Sequence, residues 1–156
     1  MHEMEIPGFG TVRLEHLVSD FTGTLSVDGN LLPGVAERLN KIEEFLTIHI
    51  LTADTFGKAG RQLEGVNCKL HILEGESHDV QKETYIRKLG QESVVALGNG
   101  NNDRRMLKAA RVGIAILLEE GCSVDAMVAA NILVRSAVDG LELLLNPKRM
   151  KATLRF

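Results

Sequence analysis

An aspartate at the end of a predicted buried strand is the first residue of this sequence that could carry chemistry. Residues 16–24 begin as an apolar run, reach Asp20, and continue into Thr22, Gly23 and Thr24. The end of a strand is where an α/β protein exposes side chains to a ligand. An aspartate there can be a nucleophile, a ligand of Mg²⁺ or both, and Gly23 lets backbone amides approach an anion. The same pattern is also typical of an aspartate that only begins a turn, so other segments must decide.

Three further segments place hydroxyl, ammonium and amide groups after predicted strands. Thr52 ends the second apolar run, Lys82 lies at the start of the helix after the third, and residues 98–103 (Gly-Asn-Gly-Asn-Asn-Asp) follow the fourth. Because the carboxyl ends of parallel strands share one edge of a sheet, we expect these groups to meet near Asp20. A nucleophile, a cation, phosphate-binding donors and an oxygen-rich Mg²⁺ site are the components of phosphoryl transfer. Taken singly, Thr52 could be a helix cap and Lys82 a surface lysine, so the hypothesis rests on the set.

Apolar segments alternate with amphipathic ones along the chain. After an irregular start at 1–13, where a turn at 6–10 could lead a short edge strand into 12–14, the pattern predicts strands at 14–19, 47–52, 68–73, 93–97, 112–117 and 132–134. Helices are predicted between them, one capped by Asp79 and the last stopped by Pro147, and a Val-Asp-Gly-Asn turn at 27–30 predicts a small flap. This alternation indicates an α/β fold of three layers, with a Rossmann-like parallel sheet and helices on both faces. No linker or repeat interrupts the pattern, so we predict one domain spanning residues 1–156.

Composition and charge restrict the partners of this protein. The formal net charge is −3 and the lysines and arginines are scattered, which predicts no nucleic-acid surface. No apolar run is long enough for a membrane span and no signal-peptide pattern is present, so we expect a cytoplasmic protein without membrane contact. The two cysteines and five histidines have no metal-ligand spacing. His49 is predicted to be a structural residue of a strand, and Glu119 and Glu120 to lie in an exposed loop.

The four segments together resemble the motifs of the haloacid dehalogenase-like phosphotransferase superfamily. Residues 20–24 (Asp-Phe-Thr-Gly-Thr) are similar to the Asp-Lys-Thr-Gly-Thr of P-type ATPase phosphorylation domains, and residues 51–54 (Leu-Thr-Ala-Asp) to their Leu-Thr-Gly-Asp. Lys82 stands where the third motif has its lysine, and residues 98–103 resemble Gly-Asp-Gly-x-Asn-Asp. The whole chain also looks like the soluble P-type ATPase-like proteins, found mostly in archaea, which have no membrane helices.

The resemblance implies a phosphohydrolase, a phosphatase or an ATPase-like enzyme, that acts on a phosphorylated small molecule or macromolecule. Asp20 would attack phosphorus and form an aspartyl-phosphate, and Lys82 would neutralise the two anions that meet there. The groups that would bind the phosphate oxygens are Thr52, the backbone amide of Ala53, and Gly23.

Two positions depart from the family pattern. Many phosphatases of the superfamily have a general acid–base aspartate two residues after the nucleophile, and this catalytic position is Thr22 here. A hydroxyl does not exchange protons at neutral pH as a carboxyl does, so we expect a rate loss of about 10²–10⁴ and slow turnover. The implied cofactor is Mg²⁺, held between Asp20, the backbone carbonyl of Thr22 and the last loop, where Asn99 or Asp103 would be the ligand. Because Asn99 replaces an aspartate, we expect weaker metal binding.

Short spacings between the motifs predict a protein without a cap domain. Only the flap and one helix fit between Asp20 and Thr52, and one helix and one strand between Thr52 and Lys82. The site would be open, which favours a large substrate or a homo-oligomer in which a neighbouring copy covers it. Two other functions stay open, namely a phospho-accepting or phosphate-binding regulatory module without turnover, and a degenerate scaffold.

Overall fold

The computed structural model describes residues 2–156 and has a six-stranded sheet at its centre. The strands are β1 (His2–Ile6), β2 (Gly10–Leu14), β3 (His16–Ser19), β4 (Ser26–Val27), β5 (Asn30–Leu31), β6 (Thr47–Thr52), β7 (Lys69–Ile72), β8 (Val94–Gly98), β9 (Val112–Ile116) and β10 (Ile132–Val134). The helices are α1 (Val35–Ile42), α2 (Ala59–Gln62), α3 (His78–Leu89), α4 (Arg104–Ala109), α5 (Val124–Ala129), α6 (Ala137–Leu145) and α7 (Pro147–Leu154).

The central sheet is parallel throughout, in the order β10-β9-β8-β3-β6-β7. From β3 the chain moves outward to β6 and β7, then crosses to β8 on the other side of β3 and continues to β9 and β10. The strand order therefore reverses between β3 and β8, and open α/β sheets bind ligands beside such a reversal, at the carboxyl ends of the strands. Asp20 follows β3 directly, and its amide donates to the carbonyl of Leu97 in β8 at 3.0 Å.

Helices cover both faces of the sheet and bury an aliphatic core on each. On one face, α1, α6 and α7 pack on side chains of the strands, with a core that includes Leu17, Ile50, Ile114, Leu39, Leu141 and Met150. On the other face, α3, α4 and α5 pack against a smaller core that includes Val18, Ala96, Ile86, Leu107 and Ala126. Strands β8 and β9 are buried along their whole length because both of their faces are covered. The predicted three-layer α/β architecture is confirmed.

The segment predicted to be irregular, at 1–13, contains the antiparallel hairpin β1–β2. The possible edge strand at 12–14 is part of β2, whereas β1 was not predicted. Met4, Ile6, Val12 and Leu14 are buried and the residues between them face outward, which is the period of a half-buried strand. The hairpin has a packing partner from the far end of the chain, because α7 lies against β1 and the Phe156 amide donates to the Pro7 carbonyl at 3.0 Å. That partner is what stabilises a segment whose own sequence favours turns.

One predicted helix start is wrong, and helix α7 was not predicted. Asp79 does not cap α3; it lies in the first turn, where its Oδ2 is 3.3 Å from Arg104 Nη2, and Ser77 precedes the helix in a left-handed conformation. Pro147 does follow the end of α6, but it also begins α7. Proline suits the first position of a helix because its missing amide hydrogen would have no partner there.

The predicted flap is present as the small antiparallel hairpin of β4 and β5. Between β3 and β6 the chain adds only this hairpin and α1, and between β6 and α3 only α2 and β7. No cap domain is therefore found among residues 2–156, as predicted. None of the helices in this range is long and apolar enough to cross a membrane.

Candidate active site

A buried cluster of two carboxylates and one ammonium group lies at the carboxyl edge of the sheet. Lys82 Nζ donates to Asp20 Oδ1 at 3.0 Å and to Asp103 Oδ1 at 2.7 Å. The exposed fractions are 7% for Asp20, 1% for Lys82 and 0% for Asp103. Three residues predicted from distant motifs are thus in direct contact.

Backbone amides hold Asp103 from the opposite side. Its Oδ2 accepts hydrogen bonds from the amides of Asn99 and Gly100, both at 2.9 Å. A Cβ added at Gly98 would lie 2.6 Å from Asp103 Cγ, so the close approach of this carboxylate requires glycine there. Because Lys82 engages Oδ1 and the two amides engage Oδ2, the carboxylate of Asp103 serves to position Lys82 rather than to face a ligand.

The electrostatics of this cluster leave it short of positive charge. Burial, together with the negative charge of Asp103, raises the pKa of Asp20 to about 7 against the opposing effect of Lys82. Burial by itself would lower the pKa of Lys82, but the charges of Asp20 and Asp103 outweigh it and raise that pKa well above its usual range. Lys82 is therefore a permanent cation that faces two acids, and an ionised Asp20 gives the cluster an excess negative charge.

The second oxygen of Asp20 faces a hydroxyl that it shares with Asn99. Thr24 Oγ1 lies 3.4 Å from Asp20 Oδ2 and 3.2 Å from Asn99 Oδ1. A hydroxyl has one proton, so it satisfies only one of these acceptors at a time. Asn99 is oriented by its Nδ2, which donates to the Gly121 carbonyl at 3.2 Å. The three oxygens form an acceptor-rich group beside Asp20.

This donor set fits Mg²⁺. The atoms that Asp20, Asn99 and Thr24 direct at one another are all oxygens, and the three share only the hydroxyl proton of Thr24. A hard cation prefers such a set of oxygen ligands. Among residues 2–156, no group of three or more His, Cys, Asp and Glu side chains could hold a metal ion. Mg²⁺ does not require such a group, because it keeps several waters and commonly uses one or two carboxylates.

Thr52 and Ala53 lie at the carboxyl end of β6, the strand beside β3. Thr52 is 1% exposed, and its hydroxyl accepts a hydrogen bond from the Asp54 amide at 2.9 Å, which leaves the hydroxyl proton free to be donated. Ala53 is exposed. Asp54 Oδ1 accepts from the amides of Lys58 and Ala59, both at 3.0 Å, which is the behaviour of a capping residue before α2.

Thr22 and Gly23 form the turn above Asp20. Thr22 is half-buried, and its hydroxyl makes no hydrogen bond within residues 2–156. The Gly23 amide donates to the Ser26 carbonyl at 2.8 Å, so it is not free to bind a phosphate oxygen. Gly23 has a φ of 77°, and a Cβ built on it would collide with Glu120 Oε2 and lie 2.6 Å from Asn99 Nδ2. The turn therefore needs glycine for the close approach of these two side chains.

Thr24 and Glu120 are the residues of this region that the sequence reasoning did not assign to the site. Glu120 is exposed, as expected for its loop, but its carboxylate lies against Gly23 rather than pointing away from the site. One signal in the sequence could have found it. The loop of Glu120 follows β9, and the carboxyl ends of all parallel strands share the edge where Asp20 lies.

Comparison with known proteins identifies a relative of this chain in an archaeon. The uncharacterized protein MJ0073 of Methanocaldococcus jannaschii is 40% identical over 88 residues, which cover 56% of this chain and 85% of that protein. No protein-family model matches the chain.

Solved structures of phosphatases have the same fold. The 3-deoxy-D-manno-octulosonate 8-phosphate phosphatase of Moraxella catarrhalis, in complex with magnesium, phosphate and KDO, aligns over 91% of this chain and 94% of its own, with 17% identity and a TM-score of 0.69. The cobalt-bound octulosonate 8-phosphate phosphatase of Haemophilus influenzae aligns over 92% of this chain and 94% of its own, with 12% identity and a TM-score of 0.71. The catalytic domain of the CPx-ATPase CopB-B aligns over 78% of this chain and 46% of its own, with 23% identity and a TM-score of 0.56.

Proposed function

We propose that this chain, which has the capless haloacid dehalogenase fold and belongs to one family with MJ0073, is a Mg²⁺-dependent phosphohydrolase that acts through an aspartyl-phosphate on Asp20. One observation carries the proposal. Lys82 joins Asp20 and Asp103 in a buried cluster, at 3.0 and 2.7 Å, at the point where the strand order of the sheet reverses. The phosphatases that share the fold support a phosphorylated substrate.

Asp20 is the nucleophile of the proposed first step. One carboxylate oxygen forms a bond to phosphorus while the bond from phosphorus to the leaving oxygen breaks, and the leaving group takes the electron pair and then a proton from solvent. Lys82 at Oδ1 and Thr24 at Oδ2 fix the orientation of the carboxylate before the attack. Lys82 also reduces the repulsion between the carboxylate and the incoming phosphate.

The phosphate oxygens are bound, in this proposal, by groups that the fold leaves available. Thr52 has an undonated hydroxyl proton beside β3, and the exposed Ala53 offers its backbone amide at the end of the same strand. We assign Gly23 a steric role instead, because its amide already has an acceptor in Ser26.

Asp20, Asn99 and the backbone carbonyl of Thr22 are the groups that would hold Mg²⁺. When bound, the ion supplies the positive charge that a carboxylate and a phosphate need in order to meet. Asn99 rather than Asp103 is the proposed side-chain ligand from the last loop, because Asp103 accepts three hydrogen bonds, from Lys82 and two backbone amides, whereas within residues 2–156 Asn99 Oδ1 accepts only the one from Thr24 that it shares with Asp20.

Release of phosphate is the proposed slow step. A water must attack the phosphorus of the aspartyl-phosphate and lose a proton while the bond from phosphorus to the Asp20 oxygen breaks and the carboxylate of Asp20 takes its electron pair. The side chain at the position of the usual acid–base residue is the Thr22 hydroxyl. Because that hydroxyl is not a base at neutral pH, we expect the aspartyl-phosphate to form faster than it breaks down.

The same residue favours a second candidate function. A protein whose Asp20 is phosphorylated but not hydrolysed would be a regulatory phosphoprotein, and Thr22 in place of a carboxyl is the observation that favours it. The two functions share every other residue of the site, so only turnover separates them.

Hydrolysis of p-nitrophenyl phosphate by the full chain tests the enzyme. We expect Mg²⁺-dependent hydrolysis that EDTA abolishes, and a loss of about 10³-fold or more in Asp20→Asn. Asp139→Asn is the matched control, because Asp139 is an exposed aspartate on α6, and its rate should equal that of the wild type. Equal rates for Asp20→Asn and the wild type would contradict the proposal.

Thr22→Asp separates the two candidate functions. We expect this variant to hydrolyse the substrate about 10²-fold faster than the wild type or more, because it restores a carboxyl for proton transfer. Intact-mass measurement of the wild type should show an added phosphoryl group that is absent in Asp20→Asn. If the wild type is phosphorylated and neither the wild type nor Thr22→Asp hydrolyses the substrate, the regulatory module is favoured.

A further inference from the structure

The proposed Mg²⁺ site has one negative charge fewer than the family pattern, because Asn99 stands where that pattern has an aspartate. Asp103 accepts hydrogen bonds from Lys82 and two backbone amides, and Asn99 is neutral, so Asp20 is the one anionic residue among the proposed ligands. The affinity of oxygen sites for divalent ions rises with the number of charged ligands. A second carboxylate close to Asn99 would therefore change the site substantially.

Glu120 places a carboxylate next to this position. A Cβ built on Gly23 would collide with Glu120 Oε2 and would lie 2.6 Å from Asn99 Nδ2, so the two side chains flank the same face of Gly23. Asn99 in turn shares the hydroxyl of Thr24 with Asp20 Oδ2. Glu120 thus lies beside the Nδ2 end of Asn99, and the Oδ1 end of the same amide faces Thr24 and, through it, Asp20.

The loop that carries Glu120 is fastened to the last motif. The Ser123 amide donates to the Asn99 carbonyl at 2.7 Å, and Asn99 Nδ2 donates to the Gly121 carbonyl at 3.2 Å. Within the loop, the Gly121 amide donates to the Leu118 carbonyl at 2.9 Å. These bonds hold Glu120 over the turn at Gly23 from both sides.

The carboxylate of Glu120 also has no cation of its own. It forms no ion pair and no hydrogen bond within residues 2–156, although lysines and arginines elsewhere on the surface pair with several glutamates. A carboxylate without a cation of its own is available to a divalent ion that binds beside it.

We infer that Glu120 supplies the second negative charge of the Mg²⁺ site, in place of the aspartate that Asn99 replaces; the inference rests on the proposed function. Asp20 from the end of β3 and Glu120 from the loop after β9 would then be the two carboxylates that hold the ion, and Asn99 would add its Oδ1 from the side of Thr24. The charge absent from position 99 is thus provided by a different segment of the chain.

Mg²⁺ binding to the full chain, measured by calorimetry without substrate at 0.15 M salt, tests this inference. We expect Glu120→Gln to weaken Mg²⁺ binding by about tenfold or more. Glu119→Gln removes the same charge from the preceding exposed residue, so it controls for net charge and should bind within about twofold of the wild type. The double variant Asn99→Asp with Glu120→Gln moves the charge to position 99 and should restore the affinity.

The outcomes distinguish this inference from the proposed function. Wild-type affinity in Glu120→Gln, or an equal loss in Glu119→Gln, would overturn the role of Glu120 while Asp20-dependent hydrolysis still stood. A wild-type chain that binds no Mg²⁺ would overturn both. Thermal melting of each metal-free variant verifies folding, and an exposed Glu-to-Gln change should leave it unaltered.

Discussion

Two polar clusters, one buried and one partly buried, lie along β3, β6 and α3, and they differ in their net charge. At the carboxyl edge, Lys82 faces the two acids Asp20 and Asp103. One turn further along α3, the Tyr85 hydroxyl is 2.8 Å from His49 Nδ1, and His49 Nε2 is 3.1 Å from His16 Nδ1. Helix α3 therefore contributes one residue to each cluster.

The difference shows which cluster is a site and which is structural. Burial, with smaller effects from His16 and Lys69, lowers the pKa of His49 to about 4, so this cluster is neutral and its hydrogen bonds are satisfied internally. The cluster at the carboxyl edge has acceptors and negative charge in excess. A cluster with excess negative charge can bind a cation, and that cation lets a phosphate approach, whereas a neutral cluster whose hydrogen bonds are satisfied needs no ligand.

Removal of the lysine should produce the largest effect. Lys82→Met leaves Asp20 and Asp103 buried without a cation, and we expect a loss of about 3–5 kcal/mol in the free energy of unfolding, measured by urea denaturation. Hydrolysis should be lost as well. Lys88→Met, on the exposed side of the same helix, is the control and should change stability by less than about 0.5 kcal/mol. Similar losses in both variants would show that the cluster does not depend on its cation.

The raised pKa of Asp20 predicts a pH dependence in metal-free protein. The contribution of protonated Asp20 to the free energy of unfolding is fully present below the ordinary pKa of 3.8, and it is lost as the pH rises through about 7. In EDTA, the free energy of unfolding of Asp20→Asn, measured by urea denaturation, should therefore rise relative to that of the wild type by up to about 3 kcal/mol between pH 4 and pH 8. A constant difference between the two proteins across this range would contradict the raised pKa.

The histidine cluster should show the opposite slope. Stability from neutral His49 is present above the ordinary pKa of 6.5 and is lost as the pH falls through about 4. The wild type should thus lose roughly 2 kcal/mol between pH 6.5 and pH 4 relative to His49→Gln, in urea denaturation. His71→Gln, at an exposed position of β7, should follow the wild type. If His71→Gln altered the slope as much as His49→Gln, the neutral cluster would not be its cause.

The smallest predicted effect concerns the turn that brings Glu120 and Asn99 together. Gly23→Ala should lose about 1 kcal/mol because alanine is strained at a φ of 77°, and it should also weaken Mg²⁺ binding several-fold by displacing Glu120. Gly57→Ala meets a comparable φ of 66° with nothing within 4 Å of the new Cβ. Gly57→Ala should lose only the free energy of unfolding that backbone strain accounts for. A loss of Mg²⁺ affinity in Gly57→Ala would indicate that the effect of Gly23→Ala is indirect.

The sequence by itself determined the fold class and the segments of the candidate site. Alternating strand and helix patterns predict a parallel sheet, and in such a sheet the ends of β3, β6 and β8 must share one edge, so Asp20, Thr52 and residues 98–103 converge by topology. These inferences rest on local periodicity and residue type, which the chain carries without reference to distant contacts. Only part of the hairpin β1–β2 was predicted: the apolar alternation of its strands is a local signal, but the helix that packs against β1, α7, comes from the other end of the chain.

Tertiary structure alone decided how the side chains divide their roles. That Asp103 holds Lys82 while Asn99 faces Thr24, that Glu120 lies against Gly23, and that His16, His49 and Tyr85 form a neutral network are contacts between segments far apart in sequence. Such contacts depend on strand register, helix packing and the geometry of single loops. A motif gives the residue that can do the chemistry, and packing determines which of its oxygens remains free to do it.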